Sequence, residues 1–174
     1  TEHVIPPDGL VSVAIRVTAD GPPRIVVVGP RLTALRVMVC RGARYVGLRC
    51  APAGGGTLLG ILPATIRHQV IPLEQLAPGR AADLAGDAPA SLPSRDIVER
   101  LRSRVARWIR GAPPPDAAVV AMADRVVAAR GDLPVATLGA QAGLGYRQAL
   151  WRFQRAVGLS PKEFARLVRL RQAC

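Results

Sequence analysis

The hydrophobic period changes along this chain, and that change restricts the fold more than any other feature. Val11, Val13, Ile15 and Val17 alternate with Ser12, Ala14, Arg16 and Thr18, the period of two that turns one face of a strand into a core. Turn residues at 19–23 separate that run from 24–28. Gly29 and Pro30 close the second run before 35–40, and Arg41 and Gly42 lead into 45–50. Four such short runs predict an antiparallel sheet, sandwich or barrel. Gly54, Gly55 and Gly56 end the β region in this reading, with short helical turns at 58–62 and 64–68. Residues 77–93, rich in Ala, Gly, Asp and Pro, are expected to be a linker or loose loop. Beyond them the period lengthens: Ile97, Leu101, Val105 and Trp108 form an apolar stripe among arginines, with Ser94 as the expected N-cap. Gly111 and the prolines 113–115 stop that helix. Asp116 is expected to cap the next, with Val119, Met122, Val126 and Val127 inward and Gly131 as its stop.

From Val135 two short helices are expected around a glycine turn, 135–142 and Tyr146–Val157, joined by Gly143, Leu144 and Gly145. Leu138, Ala142, Leu144, Ala149 and Phe153 have the spacing of a helix-turn-helix core, with Gly139 and Ala140 small where the helices approach. Such a unit leaves one helix facing solvent. In a DNA major groove its N-terminal and outward side chains reach base edges, while flanking cations meet phosphates. Tyr146, Arg147, Leu150 and Trp151 are therefore the candidate base contacts. Arg152, Arg155, Lys162 and Arg166 are the candidate phosphate contacts. Ser160-Pro161-Lys162-Glu163 is a capping box with proline at the first helical position, and it begins a helix whose buried side is Phe164, Leu167 and Val168.

Charge supports a polyanionic partner. The 174 residues, 49% of them hydrophobic, leave room for one ordinary domain or two small ones. Lys plus Arg is 24 against 12 acids, and every cation but Lys162 is Arg, so the formal charge is +12. Half of that excess lies in 144–174, where six Arg and Lys162 face Glu163 alone, as in an electrostatic footprint for phosphates. The apolar runs fall far short of the roughly 20 residues that span a bilayer, so no membrane partner is expected. His3 and His68 are too few for a multi-histidine metal centre. Cys40, Cys50 and Cys174 match no zinc spacing and are odd in number, which fits a reduced compartment, the cytoplasm. Cys40 and Cys50 are expected as buried small hydrophobes and Cys174 as incidental. No serine nucleophile with a histidine partner, Gly-rich phosphate loop or acid pair stands out, so neither an enzyme nor a cofactor is expected. No signal-peptide pattern precedes the strands, and a chain beginning at Thr1 is expected to have been cut or left incomplete there.

The stretch 135–173, with Leu138-Gly139-Ala140-Gln141-Ala142-Gly143-Leu144, Trp151-Arg152-Phe153 and Gly158-Leu159-Ser160-Pro161-Lys162-Glu163-Phe164-Ala165-Arg166, resembles the first helix-turn-helix and linker helix of AraC-family transcription regulators. Val28-Gly29-Pro30 and Gly42-Ala43-Arg44-Tyr45-Val46-Gly47-Leu48-Arg49-Cys50 are similar to the cupin-like β sensor domains that precede such regions. The resemblance implies an α+β chain: a small antiparallel, cupin-like β sensor domain over 1–76, a linker over 77–93, connecting helices over 94–131, and an all-α helix-turn-helix DNA-binding region with the start of a linker helix over 132–174. It implies a regulator that senses a small-molecule effector, binds double-stranded DNA and forms a homodimer. Family members carry two helix-turn-helix units, and this sequence stops before a second, so a fragment is expected. Ala149 stands where the family has a large apolar residue, and Leu150 and Trp151 where polar base readers are common, so no operator preference carries over. The alternative is a truncated, non-catalytic dimerisation or protein-binding module. A cupin-type metalloenzyme is disfavoured by the missing histidines.

Overall fold

The computed structural model describes residues 1–172; Ala173 and Cys174, the end of the expected 132–174 region, lie outside them. The fold is α+β. In chain order it comprises strands β1 (Glu2–Ile5), β2 (Ser12–Val17), β3 (Arg24–Val28), β4 (Leu35–Met38) and β5 (Arg44–Arg49), helix α1 (Gly54–Leu59), a 3-10 turn (Pro63–Ile66) and strand β6 (Val70–Pro72). Seven more helices follow: α2 (Leu73–Leu76), α3 (Pro78–Asp87), α4 (Ser94–Gly111), α5 (Ala117–Ala128), α6 (Val135–Gln141), α7 (Tyr146–Val157) and α8 (Pro161–Gln172).

The main sheet is antiparallel, in the order β5-β2-β3-β6. Val13 sits between Val27 and Leu48, and Ile15 between Ile25 and Val46. The alternating side chains of β2 thus meet apolar partners on both neighbours, and Val13, Ile15 and Val17 are buried. Two features of the sheet were not foreseen. The run at 35–40 does not join it; β4 pairs with the N-terminal strand β1 in a separate ribbon, Glu2 opposite Met38 and Ile5 opposite Leu35. Nor does the β region end at the glycines, because the chain returns after the 3-10 turn and β6 pairs with β3.

Residues 77–93 are not a linker. Most of them form α3, opened by Pro78 at its first position. Ala81 and Leu84, followed by Ala88, are buried against the sheet core together with Ile97 of α4. Burial of that face overrides the loop-like composition. Asp83 and Asp87, one turn apart, grip α4: Arg104 Nε donates to Asp87 at 2.7 Å, Arg104 Nη1 to Asp83 at 3.2 Å, and Trp108 Nε1 to Asp83 at 3.2 Å. Trp108 is half-buried, with the Arg80 guanidinium 4.7 Å from its ring centroid. The sheet's core thus extends to residue 97, past the expected boundary at 76. Three smaller corrections follow from the same packing. Ser94 is already helical and makes no cap bond. Val127 is exposed, because Val119, Met122, Ala123 and Val126 fill the buried side of α5. Cys40 is exposed while Cys50 is buried, since Cys40 follows the solvent-facing ribbon.

A second core joins α5 to α8 around Phe153, Leu138, Met122 and Phe164, and reaches back to Leu10, Leu32 and Ala53 of the N-terminal half. The two halves approach closely at Gly158, the αL residue that ends α7 at φ 84°. A Cβ there would stand 2.7 Å from Pro30 Cγ and 2.9 Å from the Pro63 carbonyl oxygen. Among the described residues no helix is long and apolar enough to cross a membrane. If α3 belongs to the core, Leu84→Ala costs about 2–4 kcal/mol in urea unfolding; a change within about 0.5 kcal/mol, as for a surface loop, would contradict this packing.

Candidate nucleic-acid interface

A capping box starts α8 and Gly158 stops α7. Gly139 of α6 lies where α7 crosses, and a Cβ on it would meet Ala149 Cβ at 2.8 Å; this approach is why small residues stand at both positions. Ala140, expected at the same contact, faces solvent. Ala142 and Leu144 cover the edge of a core built on Leu138, Ala149 and Phe153. The Ser160 capping box is formed: the Glu163 backbone N–H donates to Ser160 Oγ at 3.2 Å and the Ser160 N–H to Glu163 Oε2 at 2.8 Å.

Since α7 turns Ala149, Phe153 and Val157 inward, Arg147, Trp151 and Arg155, four residues apart, form its outward stripe. Trp151 is 59% and Tyr146 61% exposed, and the Arg155 guanidinium lies 5.3 Å from the Trp151 ring centroid. Trp151 borders a cleft of about 450 Å³ between α7 and the segment from Ala53 to Pro63. Tyr146 and the half-buried Leu150 lie on the opposite flank, beside Lys162 of α8, around a cavity of about 500 Å³. Lys162 and Arg166 are exposed. Of the eight candidate contact residues, the structure therefore places Tyr146, Arg147, Trp151, Arg155, Lys162 and Arg166 at the surface and Leu150 at its margin.

Arg152 is the exception. Its Nε donates to Asp116 Oδ2 at 2.7 Å and its Nη2 to Oδ1 at 2.6 Å, a two-pronged pair with both side chains mostly covered. Asp116 at the same time caps α5, accepting from the Ala118 and Val119 N–H groups. The hydrogen bonds from Arg152 hold the Asp116 carboxyl below the usual carboxylate range, helped by those two amides and against the opposing effect of burial. Arg152, expected as a phosphate contact, is instead engaged as a fastener between α5 and α7. The cap was legible in the sequence; its partner, 36 residues on, was not.

Glu163 is a second fastener. Arg67, at the end of the 3-10 turn, donates to Glu163 Oε1 at 2.7 Å and to Oε2 at 3.4 Å, tying the capping box of α8 to the β region. Burial pushes the Glu163 pKa up, but the bonds from the Ser160 N–H, Arg67 and the Ser160 hydroxyl outweigh it and leave the pKa lowered. Sequence reasoning missed this contact, which spans 96 residues. Among the described residues no cluster of three or more His, Cys, Asp or Glu is placed to hold a metal ion.

No family model, curated protein or solved structure matches the chain. The chemistry of the surface has to be read from its own residues. Exposed arginines alternating with an aromatic ring on one helix face suit a partner that offers both anionic oxygens and flat π systems.

Both lowered carboxylates add stability that is complete above the unfolded carboxylate pKa of about 4 and is lost as pH falls through their lower folded values. Asp116→Asn should destabilise the chain by about 1–3 kcal/mol at pH 7, or roughly 2–9 °C in Tm for a chain of this size. The gap between variant and parent should narrow at pH 3. A gap independent of pH would show that the carboxylate charge contributes nothing.

Proposed function

We propose that the chain is a DNA-binding transcriptional regulator of AraC type, in which α6, the turn at 142–145 and α7 are the helix-turn-helix and α8 is the linker helix. The observation that carries this reading is the outward stripe of Arg147, Trp151 and Arg155 on a helix whose inward face is fixed by a packed core. In this reading α7 enters the major groove N-terminus first. Arg147 meets a base edge, with guanine O6 and N7 its natural acceptors, and Tyr146 and Trp151 contact bases or sugars. Leu150, at the margin, lies against a thymine methyl, and Arg155, Lys162 and Arg166 meet phosphates.

The β region serves as a cupin-like sensor for a small-molecule effector, and the reading includes a cytoplasmic, non-enzymatic homodimer without a resident cofactor. Arg67–Glu163 and the close approach at Gly158 give the β region a mechanical hold on the DNA-reading helices, which regulation by an effector requires. A second reading, a dimerisation or protein-binding module without DNA activity, is favoured by the exposed Val98 and Ile109 of α4.

Binding to random duplex DNA across a salt series separates the two. The regulator reading predicts binding that weakens steeply with salt. Arg155→Ala and Lys162→Ala should each flatten the log–log slope by about one, whereas Arg147→Ala, at a base edge, should change binding to random sequence less than either. Because Arg152 holds the fold, it is left unchanged. Salt-insensitive binding, or no binding at low salt by a folded chain, would overturn the regulator reading.

A further inference from the structure

Helix α4 is long but barely buried: of its 18 residues Ile97 alone is fully covered. It stands off from the sheet along β5, and the gap is a trough made of two adjoining cavities of about 350 and 500 Å³, which share Leu48, Val105 and Ile109. The inner part is floored by Val13, Ile15 and Val46 and roofed by Leu101. The outer part runs past Cys50 and Leu58 to the prolines 113–115. Volumes of this size hold small organic ligands.

The polar groups on the walls are few and of one sign. No carboxylate lines either cavity. Arg49 is engaged by Asp8 at 2.8 Å, and the Thr57 hydroxyl donates to the Gly54 carbonyl at 3.0 Å. The Cys50 thiol, its pKa pushed up to about 11 by burial, presents a neutral wall. That leaves Arg102, exposed at the inner cavity and without an ion pair among the described residues. We propose that the trough between β5 and α4 is a binding site for a free amphipathic carboxylate, its apolar body lying along Leu48, Val105 and Ile109 and its headgroup on Arg102.

This inference rests on the regulator reading for its purpose, though not for its chemistry. The prolines that close the outer end lead directly into Asp116, which caps α5 and holds Arg152 of α7. A ligand seated against them acts on the segment that sets the position of the DNA-reading helix.

Titration calorimetry with dodecanoate below its micellar concentration tests the site with no DNA present. One molecule per chain is expected. Val105→Trp, which fills the trough, should weaken binding at least tenfold, and so should Ile109→Trp at the exposed mouth, each variant first checked for native helix content by circular dichroism. Arg102→Ala should weaken dodecanoate about tenfold and leave dodecanol unchanged. No binding, binding indifferent to all three substitutions, equal affinity for dodecanol in the parent, sedimentation with anionic vesicles without binding of free dodecanoate, or a stable dimer whose dissociation is needed before ligand enters would each overturn the proposal. Dodecanoate binding without DNA binding would support the site and sink the regulator reading; DNA binding without dodecanoate binding would do the reverse.

Discussion

The helical half of this protein hangs on the carboxylate of Asp116. One side chain caps α5 through two backbone amides and holds the guanidinium of Arg152 through both oxygens, so the start of one helix and the middle of another share a single anchor. The pair is mostly covered, and removing either partner leaves the other poorly solvated without its counter-charge, which is costlier than the loss of an ordinary surface ion pair. With α7 fixed there in rotation, Phe153 and Ala149 must face inward, and Arg147, Trp151 and Arg155 must face out. The orientation of the proposed reading face is thus a consequence of packing and of one ion pair.

The same economy governs how the halves join. Gly158 ends α7 in a left-handed conformation and lets Pro30 and Pro63 approach where a side chain would collide. One step further, Glu163 completes the capping box of α8 and accepts from Arg67. Within six residues the chain leaves α7, touches the β region and begins α8 under the hold of a β-region arginine. A displacement of the segment around Pro63 and Arg67 would be felt at both helices, as the proposed regulator reading requires.

What the sequence made legible was local. Period-two alternation located β2, turn residues bounded its neighbours, and Asp116 and Ser160 marked helix starts through their own side-chain bonds; α7 spans Tyr146–Val157 as expected. What it hid was decided by distant partners. The run Val70–Pro72 is too short to announce a strand and becomes one because β3 offers it a free edge. Residues 78–87 carry two glycines and a proline, the marks of a loop, yet fold as a helix because Leu84 finds the sheet core. Arg152 looked like one more cation on a basic helix until Asp116, far back in the chain, was seen to hold it. In the same way the trough beside α4 is absent from any motif, since its walls come from four separated stretches.

The decisive measurement is the backbone amide and indole NMR spectrum of the chain titrated with a random-sequence DNA duplex. The regulator reading predicts shifts concentrated at Tyr146, Arg147 and Trp151 on α7 and at Lys162 and Arg166 on α8, with the Trp151 indole among the largest. Shifts confined to the arginine-rich surface of α4, or a spectrum unchanged by DNA, would contradict it.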